Sequence, residues 1–252
     1  MQRRHLLAGG LAAATLPTFA IAQAIEKPKC SIAVGGKNLL YYLPLTIAEQ
    51  LGYFKAEGLA LEIRDFDGGS QALKAATSGA ADVVSGAYEH TIGLQARGLA
   101  YQAFVLQGRA PQIAMGVSPK TLPHYRQLSD LKGRRIGVSA PGSSTNMVAN
   151  LVLARAGIRP HEVQFVGVGT SAGALKAFRM GEIDALSNID PVMTVLEKSG
   201  EIRIVSDTRT LKGTKDVFGG PMPAACLYAP QAFIERHPAT SQALAPGVGQ
   251  AL

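Results

Sequence analysis

The 252-residue chain is long enough to bury one large core or two smaller ones. It carries 25 Lys+Arg against 18 Asp+Glu, a formal net charge of +7, and its basic residues are scattered without interleaved aromatic residues. This distribution argues against a nucleic-acid partner, whereas a mild positive field favours a small anionic ligand.

The first 24 residues have the pattern of an export signal. A basic start that contains Arg3 and Arg4 precedes an apolar stretch over 6–19, and cleavage is expected near Ala22 or Ala24. Two glycines and a proline interrupt the apolar stretch, which argues against a permanent membrane span. The pattern fits either a twin-arginine or a general secretory signal, and both predict a periplasmic protein.

Beyond the signal, apolar runs that predict strands alternate with segments of helical periodicity, which predicts α/β structure with mostly parallel sheets flanked by helices. The first half predicts strands at 30–34, 61–66, 81–85, 103–107 and 112–117, and helices at 45–57, 73–77 and 91–98. A proline-containing segment over 118–129 then predicts a crossing between two parts of the chain. The pattern restarts with strands at 136–139, 163–168, 183–187, 202–205 and 224–228, and helices at 145–156, 172–180, 190–199 and 230–236. Residues 208–220 are predicted to form a loop.

A short pattern occurs twice at a constant shift of 102 positions. The sequence of 72–75 recurs at 174–177, and Gly79, Asp82 and Ser85 recur as Gly181, Asp184 and Ser187. The repeat predicts two α/β lobes of similar build, with residues 25–118 and 217–252 in the first and 119–216 in the second. Asp82 and Asp184 are expected to organise the turns before their strands. The carboxyl ends of the strands in both lobes would face a shared cleft, where small ligands bind in open α/β sheets.

The main candidate site is the loop that joins strand 136–139 to the next helix. After Pro141-Gly142, the residues Ser143, Ser144 and Thr145 supply three hydroxyl groups at the start of the helix. Helix N-termini direct backbone N–H groups and partial positive charge at one point, which favours a carboxylate, sulfonate, nitrate or phosphate. The alternative is that one hydroxyl only caps the helix. The loop matches neither a P-loop nor a dinucleotide fingerprint.

Cys30 and Cys226 are the two cysteines of the chain. Export would allow them to pair, although two separate thiols buried in strands are the favoured alternative. Their spacing offers no zinc pattern, and the histidines at 90, 124 and 161 stand singly. We expect neither a metal nor a cofactor.

Several segments resemble one protein family, and they occur in the order expected for it: LGYFKAEGL, the paired GxxDxxS segments, DLKGRRIGVSAPGSSTN, SNIDPV and FGGPMPAACLYAP. From residue 32 to about 243 the chain is similar to the substrate-binding proteins of ABC importers. The most similar branch is the nitrate, sulfonate and taurine group, which includes relatives that bind thiamine-pyrimidine precursors. The resemblance implies a two-lobed type II periplasmic binding protein fold, with a ligand cleft between lobes that close over a solute and dock on a membrane permease.

The resemblance also implies that loops at matching strand ends face the solute. These loops add Tyr41, Tyr42, Gly69, Ser70, Tyr88, Asn188 and Asp190 to the hydroxyl residues of the candidate loop. Structural alternatives exist for three of them. Tyr41 and Tyr42 are adjacent in an extended loop, so one is expected to point inwards and the other outwards. Asp190 fits an N-cap residue before Pro191, which is the favoured interpretation.

Two classes of enzyme are alternatives to the binding protein. The segment Gly169–Gly173, GTSAG, matches the nucleophile elbow of serine hydrolases, with Ser171 as nucleophile and His237 as a candidate base. The repeat aligns this segment with 68–70, which explains it without catalysis. A lyase or transferase on the same two-lobed fold is the second alternative, against which the export signal argues. A solute sensor would need a membrane helix or a signalling domain.

The end of the chain departs from the family pattern, because such proteins usually continue for several more helices that complete the first lobe. Here a helical pattern begins at 241–244, and Pro246, Gly247 and Gly249 are expected to break it. This predicts a shortened product with exposed apolar surface on the first lobe and reduced stability.

The sequence therefore predicts an exported, monomeric, solute-binding component of an ABC importer, not an enzyme. It is expected to capture a small anionic solute of the sulfonate, nitrate or taurine type and to deliver it to a permease at the inner membrane. No nucleic acid is expected as a partner.

Overall fold

The computed structural model describes residues 24–252, so the predicted signal peptide lies outside the described residues apart from Ala24. The strands are β1 (Lys29–Val34), β2 (Ala60–Asp65), β3 (Val83–Ala87), β4 (Tyr101–Leu106), β5 (Ile113–Val117), β6 (Arg135–Val138), β7 (Gln164–Gly167), β8 (Ala185–Ile189), β9 (Arg203–Asp207) and β10 (Ala225–Pro230). The helices are α1 (Leu43–Gln50), α2 (Tyr53–Ala56), α3 (Gly69–Thr77), α4 (Glu89–Gln95), α5 (Ser144–Ala154), α6 (Ala172–Met180), α7 (Val192–Lys198), α8 (Leu211–Phe218), α9 (Gln231–Arg236) and α10 (Pro238–Gly249). None of the helices within 24–252 has the length and apolar character that crossing a membrane requires.

The strands form two five-stranded sheets with the same topology. The first has the order β2-β1-β3-β10-β4 and the second the order β7-β6-β8-β5-β9. In each sheet the first three strands are parallel, and the fourth runs antiparallel to both of its neighbours. Each sheet therefore has four parallel strands and one reversed strand, which confirms the prediction of mostly parallel sheets in two similar lobes.

The reversed strand of each sheet comes from a part of the chain that has just crossed between the lobes. β5 pairs with β8 and β9 in the second sheet, and β10 pairs with β3 and β4 in the first. Strand 113–117 was predicted to belong to the first lobe, and this prediction is wrong because its hydrogen-bond partners lie in the second sheet. The crossing therefore precedes Ile113, while the remaining lobe boundaries stay a prediction.

The two repeated aspartates each bind the backbone of a neighbouring strand, a contact that their expected role in the turns did not include. The Asp82 carboxylate accepts the backbone N–H of Ser31 in β1 at 3.0 Å, and that of Asp184 accepts the N–H of Arg135 in β6 at 2.9 Å. These hydrogen bonds and nearby cations lower the pKa of both carboxyl groups against the opposing effect of burial. The sequence repeat therefore corresponds to a repeated structural device.

The segment at 208–220 is a helix rather than the predicted loop. The Thr210 hydroxyl caps α8 by accepting the backbone N–H of Gly213, and Gly219 ends the helix in the left-handed conformation. A Cβ atom at Gly213 would lie 1.7 Å from the backbone oxygen of Asp207. Gly213 therefore allows α8 to pack closely against the end of β9, and it lies inside a helix rather than in a loop.

The predicted break at residues 246–249 is also absent, because α10 continues through Pro246 to Gly249. Gly247 faces α2, where an added Cβ atom would lie 2.6 Å from the ring of Phe54. The glycine therefore lets two helices approach closely, and the proline loses one hydrogen bond without ending the helix.

Near the other end of the chain, the predicted helix over 45–57 divides into α1 and α2 at Gly52, which has φ +75°.

Both cysteines are free and buried in strands, which is the favoured alternative of the sequence analysis. Burial raises the pKa of the Cys30 thiol to about 11 and that of Cys226 to about 12. Nearby charges make a smaller contribution to both shifts. Both thiols are consequently protonated and unreactive near neutral pH.

Candidate functional site

The two lobes meet where the loop after β6 lies against the start of α3. A Cβ atom placed on Gly68 would lie 3.2 Å from the Cβ atom of Ala140, so the two lobes approach each other closely at this point. On the same side of the molecule, a Cβ atom on Gly36 would lie 3.3 Å from the hydroxyl oxygen of Thr170. The N-termini of α3 and α5 therefore face one cleft from opposite lobes.

Two cavities lie in this cleft. The first, called here the α3–α5 cavity, has a volume of about 490 Å³, and its polar lining consists mainly of Ser70, Lys74, Glu89, His90, Arg97 and Ser143. The second, of about 570 Å³, includes Asp65, Asp67, Gln71, Ser139, Thr170 and Ser171 in its wall. The basic side chains lie in the first cavity and the acidic ones mainly in the second, so the α3–α5 cavity is the better anion site.

Three buried hydroxyl groups form a closed network at the start of α5. The Ser139 oxygen lies 2.7 Å from that of Ser143 and 2.9 Å from that of Thr145, and the last two are 3.0 Å apart. Ser143 donates to the backbone oxygen of Ala140 at 2.7 Å, and Thr145 accepts the backbone N–H of Ser139 at 2.9 Å. Every hydroxyl proton of the network therefore has an acceptor inside it.

The network changes how the predicted anion loop is understood. Ser143 is the N-cap residue of α5, but its side chain does not cap the helix, so the simple capping alternative is wrong. Among the described residues, no acceptor bonds the backbone N–H groups of Ser144, Thr145 and Asn146. These N–H groups, together with the Ser144 hydroxyl, which lies outside the network and has no partner among the described residues, are the donors that the loop leaves for a ligand.

Removing the Ser143 hydroxyl should reduce stability. We expect Ser143→Ala to lower the free energy of unfolding by about 1–3 kcal/mol, because it leaves buried partners at Ser139 and Thr145 with a missing hydrogen bond. Urea unfolding of the variant measures this change, and Ser78→Ala, at a hydroxyl that bonds only one carbonyl near the surface, is the control. Equal stability of the Ser143 variant and the unchanged protein would contradict the network.

The start of α3 contributes the predicted residues Gly69 and Ser70. Gln71 and Ala72 donate to the backbone oxygen of Gly68, whereas within residues 24–252 no acceptor bonds the N–H groups of Gly69 and Ser70. A Cβ atom at Gly69 would lie 3.2 Å from Cε1 of His90. The glycine thus allows the N-terminus of α3 to approach an imidazole closely.

Tyr41 and Tyr42 are both buried, so the expectation that one points outwards is wrong. They lie in a 3-10 helix, Leu40–Tyr42, rather than an extended loop, and the two rings meet edge to face with centroids 4.8 Å apart. A helical turn does not send adjacent side chains to opposite faces as a strand does. Burial raises the pKa of both phenols. The hydroxyl of Tyr42 is 4.0 Å from the Cβ position of Gly69, which places it near the cleft.

Asn188 lies in β8 and Asp190 directly follows it, and both are held by structural partners. The Asn188 side chain donates to the backbone oxygen of Gly169 at 3.0 Å and is fully buried. The Asp190 carboxylate accepts both the backbone N–H and the hydroxyl of Thr194, and Arg209 lies 3.7 Å from it. Asp190 therefore binds the first turn of α7 from the position before the N-cap. The predicted N-cap assignment is wrong by one residue, because the N-cap residue is Pro191 and the helix begins at Val192.

The remaining predicted residues lie around the cleft without lining either cavity. Ser144 and Tyr88 are half-buried, and Tyr88 packs against the apolar cluster that contains Leu94 and Tyr228. Of the ten predicted residues, the structure brings Ser70 and Ser143 to the wall of the α3–α5 cavity, with Gly69 beside them. Their role as solute contacts stays a prediction.

Four ionisable side chains of the α3–α5 cavity were not predicted from the sequence: Glu89, His90, Lys74 and Arg97. Glu89 and His90 directly follow Tyr88 after the end of β3. The sequence therefore predicted that this segment lies at a strand end, but it did not indicate which side chain points into the cleft. Burial raises the pKa of Glu89 to about 7 and lowers that of His90 to about 4, the latter assisted by Arg97.

The residues proposed for a hydrolase do not form a triad. Ser171 is exposed, and within the described chain its hydroxyl makes no hydrogen bond to a histidine. His237 instead packs its ring on Phe233, with centroids 5.0 Å apart, in the first lobe. Between residues 24 and 252, no group of three His, Cys, Asp or Glu side chains is placed to hold a metal ion.

The profile of the NMT1/THI5-like family matches residues 40–246. A solved structure from Bordetella bronchiseptica RB50 is 62% identical, with a TM-score of 0.89 over 91% of this chain and 72% of that chain. The alkanesulfonate-binding protein SsuA from Xanthomonas axonopodis pv. citri, bound to MOPS, is 22% identical with a TM-score of 0.68, over 89% of this chain and 73% of that chain. The Bacillus subtilis (strain 168) protein YtlA, named as a binding protein, is 24% identical over 80% of this chain. This chain spans 59% of the length of YtlA.

Proposed function

The chain belongs to the NMT1/THI5-like family, and from this premise we propose that it is the exported solute-binding component of an ABC importer. The predicted two-lobed periplasmic binding protein fold is confirmed by the sheet topology and by the similarity to SsuA. In the proposed function, a solute binds between the lobes, and its contacts to both lobes favour the closed arrangement. A permease at the inner membrane then receives the solute from this form, which acts as a monomer in the periplasm.

The observation that carries this proposal is the α3–α5 cavity. Free backbone N–H groups at the start of a helix from each lobe face the cleft in which this cavity lies. Lys74 and Arg97 line the cavity and form no ion pair within the described residues. Two helix N-termini and two cations favour a small anion over a neutral or cationic solute.

The solute class follows from the size and the donors of the cavity. A volume of about 490 Å³ accommodates a small organic molecule. Its N–H donors suit a sulfonate, a carboxylate or a nitrate, each of which offers several acceptor oxygens. The alkanesulfonate-binding protein SsuA, whose structure contains MOPS, has a similar fold. This similarity supports an organic sulfonate as the first solute to test.

An enzyme on the same fold is the weaker alternative. Ser171 lacks a base within the described residues, and its segment opens α6 as 68–70 opens α3. The aspartates of the repeat hold strands together and do not enter the α3–α5 cavity. These observations support binding without chemical conversion of the solute.

Thermal unfolding against a panel of solutes tests the function. The panel contains ethanesulfonate, taurine, nitrate, benzoate and a neutral pyrimidine, with sodium chloride at matched ionic strength as control. A solute at ~100 times its Kd adds ~2.7 kcal/mol to the stability, which corresponds to roughly 5–10 °C for a chain of this size. One anionic class should raise the midpoint by this amount. Stabilisation by the neutral pyrimidine alone would contradict the anion proposal, and hydrolysis or conversion of a panel member would contradict a pure binding role.

A further inference from the structure

The imidazole of His90 carries a buried nitrogen without a partner. His90 is 7% exposed, and its Nε2 atom has no hydrogen-bond partner among the described residues. The other ring nitrogen, Nδ1, lies 3.1 Å from the hydroxyl oxygen of Tyr228. A buried polar atom without a partner is unfavourable, so a partner for Nε2 that comes with a ligand would strengthen the binding of that ligand.

The contact with Tyr228 decides which nitrogen of His90 carries the proton. Tyr228 is completely buried, and burial raises the pKa of its phenol well above the usual value, so the hydroxyl keeps its proton. Its only hydrogen-bond partner in the described chain is Nδ1 of His90. A hydroxyl that donates to Nδ1 leaves the single proton of a neutral imidazole on Nε2. The lowered pKa of His90, about 4, keeps the ring neutral near pH 7.

The Nε2 edge of the ring lies beside the start of α3. A Cβ atom at Gly69 would be 3.2 Å from Cε1 and 4.0 Å from Nε2, and His90 contributes to the wall of the α3–α5 cavity. The free N–H groups of Gly69 and Ser70 belong to the same end of α3. The imidazole and the helix terminus therefore provide neighbouring donors, none of which forms a hydrogen bond within the described residues.

We propose that the Nε2–H group of His90 donates a hydrogen bond to an oxygen of the bound solute, and that Tyr228 is the positioning residue that keeps the proton on Nε2. The inference rests on the proposed function and adds a specificity determinant to it. The neutral donor requires an acceptor oxygen, so the site selects oxyanions over halides. A solute with two or more oxygens can engage His90 and the start of α3 together.

Histidine ring NMR combined with three variants tests this proposal. The protein is labelled with 15N-histidine, and ring nitrogen shifts are recorded near pH 7 with ethanesulfonate, propionate or nitrate as probes and chloride as control. The double variant His90→Phe/Tyr228→Phe removes both hydrogen-bonding partners, so neither is left unpaired in the interior. His90→Gln retains a donor near the position of Nε2. Tyr228→Phe removes the hydroxyl that fixes the tautomer of His90 and retains the aromatic ring at position 228.

We expect the Nε2–H tautomer for His90, and a shift of this resonance with the oxyanion that binds but not with chloride. The double variant should bind that oxyanion ~10- to 100-fold more weakly, as for loss of a hydrogen bond to a charged group. His90→Gln should restore part of the loss, and Tyr228→Phe should show a mixture of tautomers with weaker binding. A charged ring, the Nδ1–H tautomer, or equal affinity in the double variant would overturn the inference and leave the proposed function intact. If no panel solute of any charge binds the unchanged protein, the proposed function fails, and the inference fails with it.

Discussion

Replacing Gly35 by alanine is expected to lower the free energy of unfolding by about 3 kcal/mol, near the upper end for overpacking, and to abolish measurable solute binding. A Cβ atom at this position would lie 2.3 Å from the backbone nitrogen of Gly69 and 2.4 Å from the carbonyl carbon of Gly68. Both atoms belong to backbone, so no side chain can move aside. The start of α3 would have to shift away from β1, and the N–H groups proposed to hold the solute would shift with it.

Thermal unfolding and a solute titration measure the two parts of this prediction. The expected loss of stability corresponds to a midpoint lower by roughly 6–12 °C for a chain of this size. Gly220→Ala is a matched control, because a Cβ atom there meets nothing within 4 Å and its backbone is not left-handed. If Gly35→Ala bound the solute as tightly as the control, the start of α3 would not belong to the binding site.

The second large effect is a pH dependence that originates from Glu89. Burial raises the pKa of this carboxyl group from 4.5 to about 7, so between these values the folded protein holds a proton that the unfolded chain has released. Rising pH therefore destabilises the fold through this group, by up to ~3 kcal/mol across the interval. The lowered pKa of His90, from 6.5 to about 4, acts in the opposite direction, because there the unfolded chain holds the extra proton.

The Glu89→Gln variant isolates the contribution of the carboxyl group. Its stability relative to the unchanged protein should increase steadily from pH 4.5 to about 7 and then level off. Solute binding should depend on pH as well, because Lys74 and Arg97 attract an anion to the cavity while an ionised Glu89 repels it. Anion affinity should be constant below about pH 7 and fall by up to ~10-fold per unit above it, and the variant should lack this fall.

Urea unfolding and calorimetric titration across this pH range provide the measurements. Glu235→Gln serves as the control, because this glutamate is exposed on α9 in the same lobe. Parallel pH profiles for the unchanged protein and Glu89→Gln would show that the carboxyl group is not buried at the site.

The architecture was predictable because it depends on periodicity and on a repeat. The pattern shared by 72–75 and 174–177 indicated two similar lobes, and the structure gives both sheets one strand order. The two repeated aspartates were expected to organise turns, and their carboxylates instead bind the backbone of neighbouring strands. The reversed strands were not predictable in the same way. An apolar run such as 113–117 specifies a buried strand, but pairing across a chain crossing is a tertiary property.

The site was predicted less completely than the fold. Glycine and proline indicated a loop at 208–220 and a break at 246–249, yet Gly213 and Gly247 serve close packing inside helices. The serine-rich loop after β6 was predicted, but the hydroxyls of Ser143 and Thr145 bond within a buried network, and the free donors are mainly backbone N–H groups. His90 could not be identified from the sequence, because its importance depends on a contact with Tyr228, which lies 138 residues away.

The central claim is that a small anion binds between the lobes at the start of α3 and α5. Amide NMR of the protein, titrated with the anion that stabilises it, tests this claim most directly. We predict that the largest shift changes occur together at the amides of Gly69, Ser70, Ser144 and Thr145, which belong to different lobes. Changes confined to one lobe, or to exposed lysines and arginines away from the cleft, would contradict the account.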